Sequence, residues 1–214
     1  MPSRIFPFTN GHFYHIYNRG SEKRPIFESR RDYQRFLKTV QYYQFLGPKP
    51  KFSHFSQFQT FKPDPTKKIV DVVCYCLMPN HFHLLLKQSV DSGITEFVSK
   101  LSNSYTKYYN TKYKRIGPLL QGEFKSVLIE NDEQLVHLSR YIHLNPLVSL
   151  MVKDLKDYEW SSYREYLGLT DGFCSKQEIL GFFKNSLQYE HFVLDQADYG
   201  QRLAQIKHQV LEEI

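Results

Sequence analysis

Two histidines one residue apart, His81 and His83, are the first residues whose types and spacing suggest chemistry. They fall in HFHLLLKQ, residues 81–88, a run that reads as a β-strand. Side chains alternate along a strand, so His81 and His83 share one face and Phe82 takes the other. Two imidazoles side by side on a rigid strand are half of a metal site, although the bare pattern also suits two ordinary polar histidines. A second pair is Tyr141 and Asn145, four residues apart in a segment of helical period. That spacing stacks them on one helix face, leaning toward the helix start. A tyrosine hydroxyl becomes a covalent nucleophile once its proton is removed or its charge is met by a nearby cation. An asparagine carbonyl oxygen can serve as a neutral metal ligand. If this helix face opposes the histidine face, cation and nucleophile meet; the same two residues also read as a packed tyrosine and a helix-ending asparagine before Pro146. His137, one turn before Tyr141, can assist proton transfer, bind phosphate or simply face solvent, whereas His143 should point elsewhere.

These side chains need elements to hold them. Residues 12–18, HFYHIYN, alternate as a strand and are followed by a turn at Asn18-Arg19-Gly20. Apolar or aromatic positions at Tyr33, Phe36, Leu37, Val40, Tyr43 and Phe45 give residues 29–46 a helical period, with Ser29 as N-cap. Residues 47–68 break the pattern with recurrent Pro and Lys and single Phe residues, and read as a long irregular insertion. The apolar run 69–77, IVDVVCYCL, suits a central strand, and Met78-Pro79-Asn80 turns it into strand 81–88 as a hairpin. A long helix is predicted over 92–114, ended by Gly117-Pro118, and a strand over 123–129. Asn131 is then an N-cap with Gln134 as its capping-box partner, for a helix that should run to about Asn145 and stop at Pro146. The resulting order is a β-α-β-β-α-β core, an α+β, ferredoxin-like plan with an antiparallel sheet, plus an added helix that carries Tyr141. Residues 158–168 and 175–214 look helical and looser, so the expected organisation is a domain over 1–168 and a helical C-terminal extension over 169–214.

Composition bounds the partners. The chain has 214 residues, enough for one full core, and 41% hydrophobic residues, ordinary for a globular protein. No run is long and apolar enough for a membrane span, and the N-terminus shows no signal core, so the expected location is cytoplasmic, with the nucleoid. Cys74, Cys76 and Cys174 are odd in number and read as core packing rather than a disulfide or metal framework. The formal net charge of +6 favours a polyanion partner. With 16 Tyr and 17 Phe, many beside Lys or Arg, the chain has the cations and flat rings that bind phosphates and bases of a single strand. Arg19, Lys107, Lys112, Lys114, Arg115, Lys125 and Arg140 are the candidate DNA contacts.

The segment Met78-Pro79-Asn80-His81-Phe82-His83-Leu84-Leu85-Leu86 resembles the signature strand of the single-tyrosine HUH transposases, the insertion-sequence-200-like family, and among them the REP-associated tyrosine transposases. Further blocks in the family's order are His15-Ile16-Tyr17-Asn18-Arg19-Gly20, Gln121-Gly122-Glu123-Phe124-Lys125-Ser126, Arg140-Tyr141-Ile142-His143-Leu144-Asn145-Pro146 and Trp160-Ser161-Ser162-Tyr163. The resemblance covers about residues 12–168. It implies that His81 and His83 bind a divalent cation, Mg²⁺ or Mn²⁺, that Tyr141 is the nucleophile and that Asn145 adds a metal ligand, where related enzymes use Gln or Glu. It further implies nicking and joining of single-stranded DNA beside a hairpin or repeat through a 5′-phosphotyrosine intermediate, by a monomer or homodimer. The basic helix around 100–115 and the first strand are the expected DNA surface. The chain departs from the family in the length of 47–68 and in the region after about 170. Competing readings are a domesticated DNA-binding protein that need not cut, a replication-initiator or relaxase-like nickase, and a metallohydrolase acting on something other than nucleic acid. The last would want a carboxylate base near the histidines, and residues 78–86 hold none.

Overall fold

The computed structural model describes residues 7–47, 52, 64 and 66–197. Most of the predicted insertion at 47–68 and the end of the C-terminal extension, 198–214, lie outside the described residues. The core elements are β1 (Phe13–Arg19), α1 (Arg30–Tyr43), β2 (Val70–Met78), β3 (His81–Gln88), α2 (Gly93–Lys112), β4 (Lys125–Ile129) and α3 (Asp132–Val148). The strands form one antiparallel sheet in the order β2-β3-β1-β4. This is the ferredoxin-like winding, with β3 inserted between β1 and β2. The added helix α3 follows β4, and three short helices trail it: α4 (Tyr163–Tyr166), α5 (Gln177–Leu180) and α6 (Ser186–Leu194).

Each sheet face is covered for a reason legible in the side chains. Phe82, Leu84 and Leu86 of β3 join Ile16 of β1 against Phe36 and Val40 of α1 and Phe97, Leu101 and Tyr105 of α2. On the opposite face, Leu85 of β3 joins Leu135 and Ile142 of α3 and Tyr189 and Val193 of α6. β2 serves both layers as well, and a bulge separates Val72 from Cys74. The extra residue shifts the alternation, so Val70 and Val72 pack with α1 and α2 while Cys74, Cys76 and Met78 pack with α3. The three cysteines are free, and Cys74 and Cys76 are wholly buried in this packing.

Local chemistry fixes the element ends. Asp32 sits in the first turn of α1 and accepts from the backbone N–H of Ser29 at 2.9 Å. It also ties α1 to α2, accepting from Lys112 Nζ at 2.7 Å and from the hydroxyls of Tyr108 and Tyr113 at 3.0 and 2.7 Å. The turn Pro79-Asn80 joins β2 to β3, and its carbonyls anchor the segment after β1: Pro79 accepts from Ile26 N and Asn80 from Gly20 N, both at 2.8 Å. Gly20 is required there, because a Cβ would lie 2.2 Å from the Arg24 carbonyl oxygen. The other edge of the sheet is covered at β2: Leu77 N donates to Trp160 O, Ser162 N to Tyr75 O and Ser175 N to Val72 O.

Helix α3 corrects one expectation. It does not stop at Pro146 but passes through it and ends at Val148. The proline lies in the last turn, where its missing N–H removes only the bond to the Ile142 carbonyl and its fixed φ suits a helix. The cap at Asn131 forms as expected, its side chain accepting from Gln134 N at 2.9 Å, while the Gln134 side chain reaches one residue further back, to Glu130 N.

Candidate functional site

Antiparallel register assembles the site in rows across the sheet. One row runs Cys76, His83, Tyr17, Lys125 from β2 through β3 and β1 to β4. The next runs Met78, His81, Arg19. The row on the other side of the first holds Leu85, His15 and Val127. All of these project to the α3 face, since alternate residues of a strand share a side. A cleft of about 700 Å³ opens over the rows, lined by Tyr17, Asn18, Arg19, Lys23, Asn80, His81, His83, Gln121, Lys125 and Tyr141. Three cations and no carboxylate face this space, so it is built for an anion.

Tyr141 comes from α3 over the same rows. Its ring centroid lies 5.6 Å from His83 and 6.2 Å from His15, edge to face, and His81 lies 5.0 Å from His83. Tyr141 is 53% exposed, so a large substrate can reach it. Burial of the phenol pushes its pKa up, opposed by a hydrogen bond with the Asn145 side chain. The three histidines are held neutral. Burial brings His15 to about 4, drives His83 well down with help from the neighbouring His15 and His81, and lowers His81 together with Arg19. A neutral imidazole keeps the lone pair that a cation needs.

The donor set fits a metal in part. His81 Nδ1 is held by Asn80 Oδ1 at 2.6 Å and His83 Nδ1 by His15 Nε2 at 2.9 Å, which leaves Nε2 of each as the free ring nitrogen. An anchored second nitrogen is the usual condition of a ligating histidine. Asn145 donates Nδ2 to the Tyr141 carbonyl at 2.8 Å and keeps Oδ1 as its acceptor, but it does not line the cleft. Among the described residues, no three His, Cys, Asp or Glu side chains are gathered as a complete metal cage.

The structure brings His81, His83, Tyr141, Arg19 and Lys125 together, and Arg19 is further held by a hydrogen bond from its Nε to Gln121 Oε1. It places the other candidates elsewhere. Arg140 lies over the Phe192 ring at 4.3 Å and donates to the Phe192 carbonyl at 3.3 Å, and its guanidinium holds His137 Nδ1 at 2.5 Å. Both residues thus turn to α6, not to the cleft. Lys107 and Lys112 line a groove between α1 and α2 with Arg31, Arg35 and Lys100, on the opposite side of the sheet. There Lys112 is already paired with buried Asp32. Lys114 is exposed just past the end of α2, and Arg115 sits over the Tyr109 ring at 5.8 Å. His143 points into the core, between the Tyr189 hydroxyl at 2.7 Å and Ser162 Oγ at 2.8 Å. Sequence reasoning missed His15, Lys23, Asn80 and Gln121 as parts of the site. For His15 a signal exists: it is two residues from Tyr17 in an alternating strand, but only the register tells which strand it meets.

Residues 59–145 match the model of the family described as Transposase IS200 like. That segment spans His81, His83, Tyr141 and Asn145. A solved structure of a REP-associated tyrosine transposase bound to a REP hairpin aligns with a TM-score of 0.56 at 14% identity, over 78% of this chain and 86% of that one. That likeness is one of fold. The crystal structure of a candidate transposase from Deinococcus radiodurans R1 aligns at 13% identity over 66% of this chain and 95% of that one, with a TM-score of 0.36 that carries no argument. No curated protein matches the chain. Among the described residues, no helix is long and apolar enough to cross a membrane.

Proposed function

We propose that the protein nicks and rejoins single-stranded DNA next to a hairpin or repeat, with Tyr141 as the nucleophile. The observation that supports this reading is the placement of Tyr141 5.6 Å from His83 at the wall of a cleft lined by Arg19, Lys23 and Lys125. The three cations would hold the phosphates on either side of the scissile bond. Tyr141 would lose its proton, and its oxygen would attack phosphorus as the bond to the 3′ oxygen breaks. The strand end leaves as a 3′-hydroxyl, and the 5′ phosphate stays on Tyr141. Attack by a DNA 3′-hydroxyl on that linkage reverses the step, so joining needs no nucleotide. The raised phenol pKa means that the proton must be drawn off in the site. His81 and His83, with Asn145 as a further oxygen donor, would hold Mg²⁺ or Mn²⁺, which when bound supplies charge to the reacting phosphate.

The test is covalent trapping. A labelled hairpin oligonucleotide with a single-stranded flank, incubated with Mn²⁺, should give an SDS-stable adduct with the parent protein. Tyr141→Phe should give none, and His81→Ala/His83→Ala should lose metal-dependent cleavage. An adduct with Tyr141→Phe, or undiminished cleavage by the double variant, overturns the assignment.

A further inference from the structure

His15 has no part in the proposed cleavage step, yet it is buried at the centre of the residues that do. It stands on β1, diagonal to His83 on the neighbouring strand, with Nε2 2.9 Å from His83 Nδ1. Its ring stacks on Tyr17 at 4.8 Å and meets the Tyr141 ring edge to face. It does not line the cleft. Two neutral imidazoles in contact share one proton: one ring donates and the other accepts. The direction decides what the far nitrogen of His83 can do. If His83 donates from Nδ1, its Nε2 carries a free lone pair. If His83 accepts at Nδ1, its Nε2 carries the proton and cannot ligate anything.

His81 supplies the comparison. Its Nδ1 meets Asn80 Oδ1 at 2.6 Å, and an amide oxygen only accepts, so His81 must carry its proton on Nδ1 and keep Nε2 open. For the two histidines to face a cation alike, the partner of His83 must also accept. We propose that His15 is a positioning residue for His83: its Nε2 accepts from His83 Nδ1–H, sets that ring's orientation and tautomer, and turns His83 Nε2 into a metal donor. This rests on the reading of His81 and His83 as a metal pair, and extends it to a residue on another strand. The contact also explains why β1, which supplies Tyr17 and Arg19 to the cleft, bears an imidazole rather than an apolar residue at this buried position.

The experiment has two arms. In the first, nitrogen-15 NMR of the metal-free full chain reads the tautomer of His83. The expected result is the Nδ1–H form in the parent and the Nε2–H form in His15→Phe, which keeps a flat ring but offers no acceptor. In the second, Mn²⁺ alone is titrated calorimetrically into the parent, His15→Phe and His15→Gln, with thermal melts run beside them. His15→Phe should bind about 10- to 100-fold more weakly, the usual effect of removing such a partner. His15→Gln, whose amide oxygen can accept, should recover most of that affinity. An Nε2–H tautomer of His83 in the parent overturns the proposal, as does Mn²⁺ affinity in a folded His15→Phe within twofold of the parent. If the parent binds Mn²⁺ no better than His81→Ala/His83→Ala, the metal reading itself fails; the tautomer measurement then still decides the direction of the hydrogen bond. Should His15→Phe not fold, the parent tautomer and the His15→Gln titration decide.

Discussion

At the scale of single residues, the chemistry is carried by groups whose charge state the fold sets. Asp32 shows this away from the cleft. Burial would raise its carboxyl, but hydrogen bonds from Lys112, Tyr113, the Glu28 backbone and Tyr108 overcome that and bring it to about 2. A carboxyl depressed on folding contributes stability that is complete above its unfolded value, 3.8, and is lost as pH falls from there toward 2. Asp32→Asn should therefore lower the thermal midpoint at neutral pH, by the equivalent of about 1.5–3 kcal/mol for hydrogen bonds to a charged group. The gap to the parent should narrow between about pH 4 and pH 2; melts over that range that stay parallel would sink the assignment. The histidine pair was legible because strand alternation is a local rule, and Tyr141 because its block resembles a family. His15 carried no local mark of its role, since a diagonal cross-strand contact depends on register and not on spacing along the chain. Helical spacing put His137 near Tyr141, and Arg140 is its neighbour in the chain, but the Phe192 ring of α6 captures them both.

At the scale of elements, α3 is held from two sides. Its outer layer is the C-terminal extension, joined through a buried chain in which His143 contacts Tyr189 and Ser162, Tyr189 donates to Ser139, and Ser162 donates to the Tyr75 carbonyl of β2. His143→Ala strands the hydroxyls of Tyr189 and Ser162 without their ring partner and opens a cavity, at a cost of about 2–4 kcal/mol. Denaturant titration should show the loss, and the proposed Tyr141 adduct should form more slowly because the helix that carries Tyr141 loses its brace. A midpoint within error of the parent would refute the bracing role. The element order was readable from hydrophobic period. The bulge in β2 was not, because an extra residue leaves a run such as VDVVCYC looking uniformly apolar. The passage of α3 through Pro146 was hidden too: proline is a stop signal in the middle of a helix, but much less of one in its final turn.

At the scale of the whole molecule, the positive charge is divided. Arg19, Lys23 and Lys125 line the cleft on the α3 face, and a separate group lines the groove between α1 and α2 on the other. A single strand in the cleft should therefore feel only the first group. Replacing Arg19, Lys23 and Lys125 together by Gln should flatten the dependence of log affinity on log salt by about 2 for a single-stranded oligonucleotide, at about 0.7 for each phosphate that is no longer neutralised. An unchanged slope would remove these residues from the phosphate path. The net charge of +6 announced a polyanion partner, but which cations share a surface follows from the winding of the sheet.

The position of β3 has a consequence for how the protein comes apart. It is bonded on both sides, to β2 and β1, and it carries His81 and His83. Tyr141 rides on a helix laid over the sheet and secured by the short helices of the chain's end. The two halves of the site thus belong to regions of unequal local stability, the interior strand being among the last to open. Amide hydrogen exchange should find β3 better protected than α3. If His81 and His83 hold Mn²⁺ and Tyr141 attacks DNA as proposed, mild denaturant should leave Mn²⁺ on the strand after attack on DNA is lost. Exchange at equal rates in β3 and α3 would show instead that the site opens as one unit.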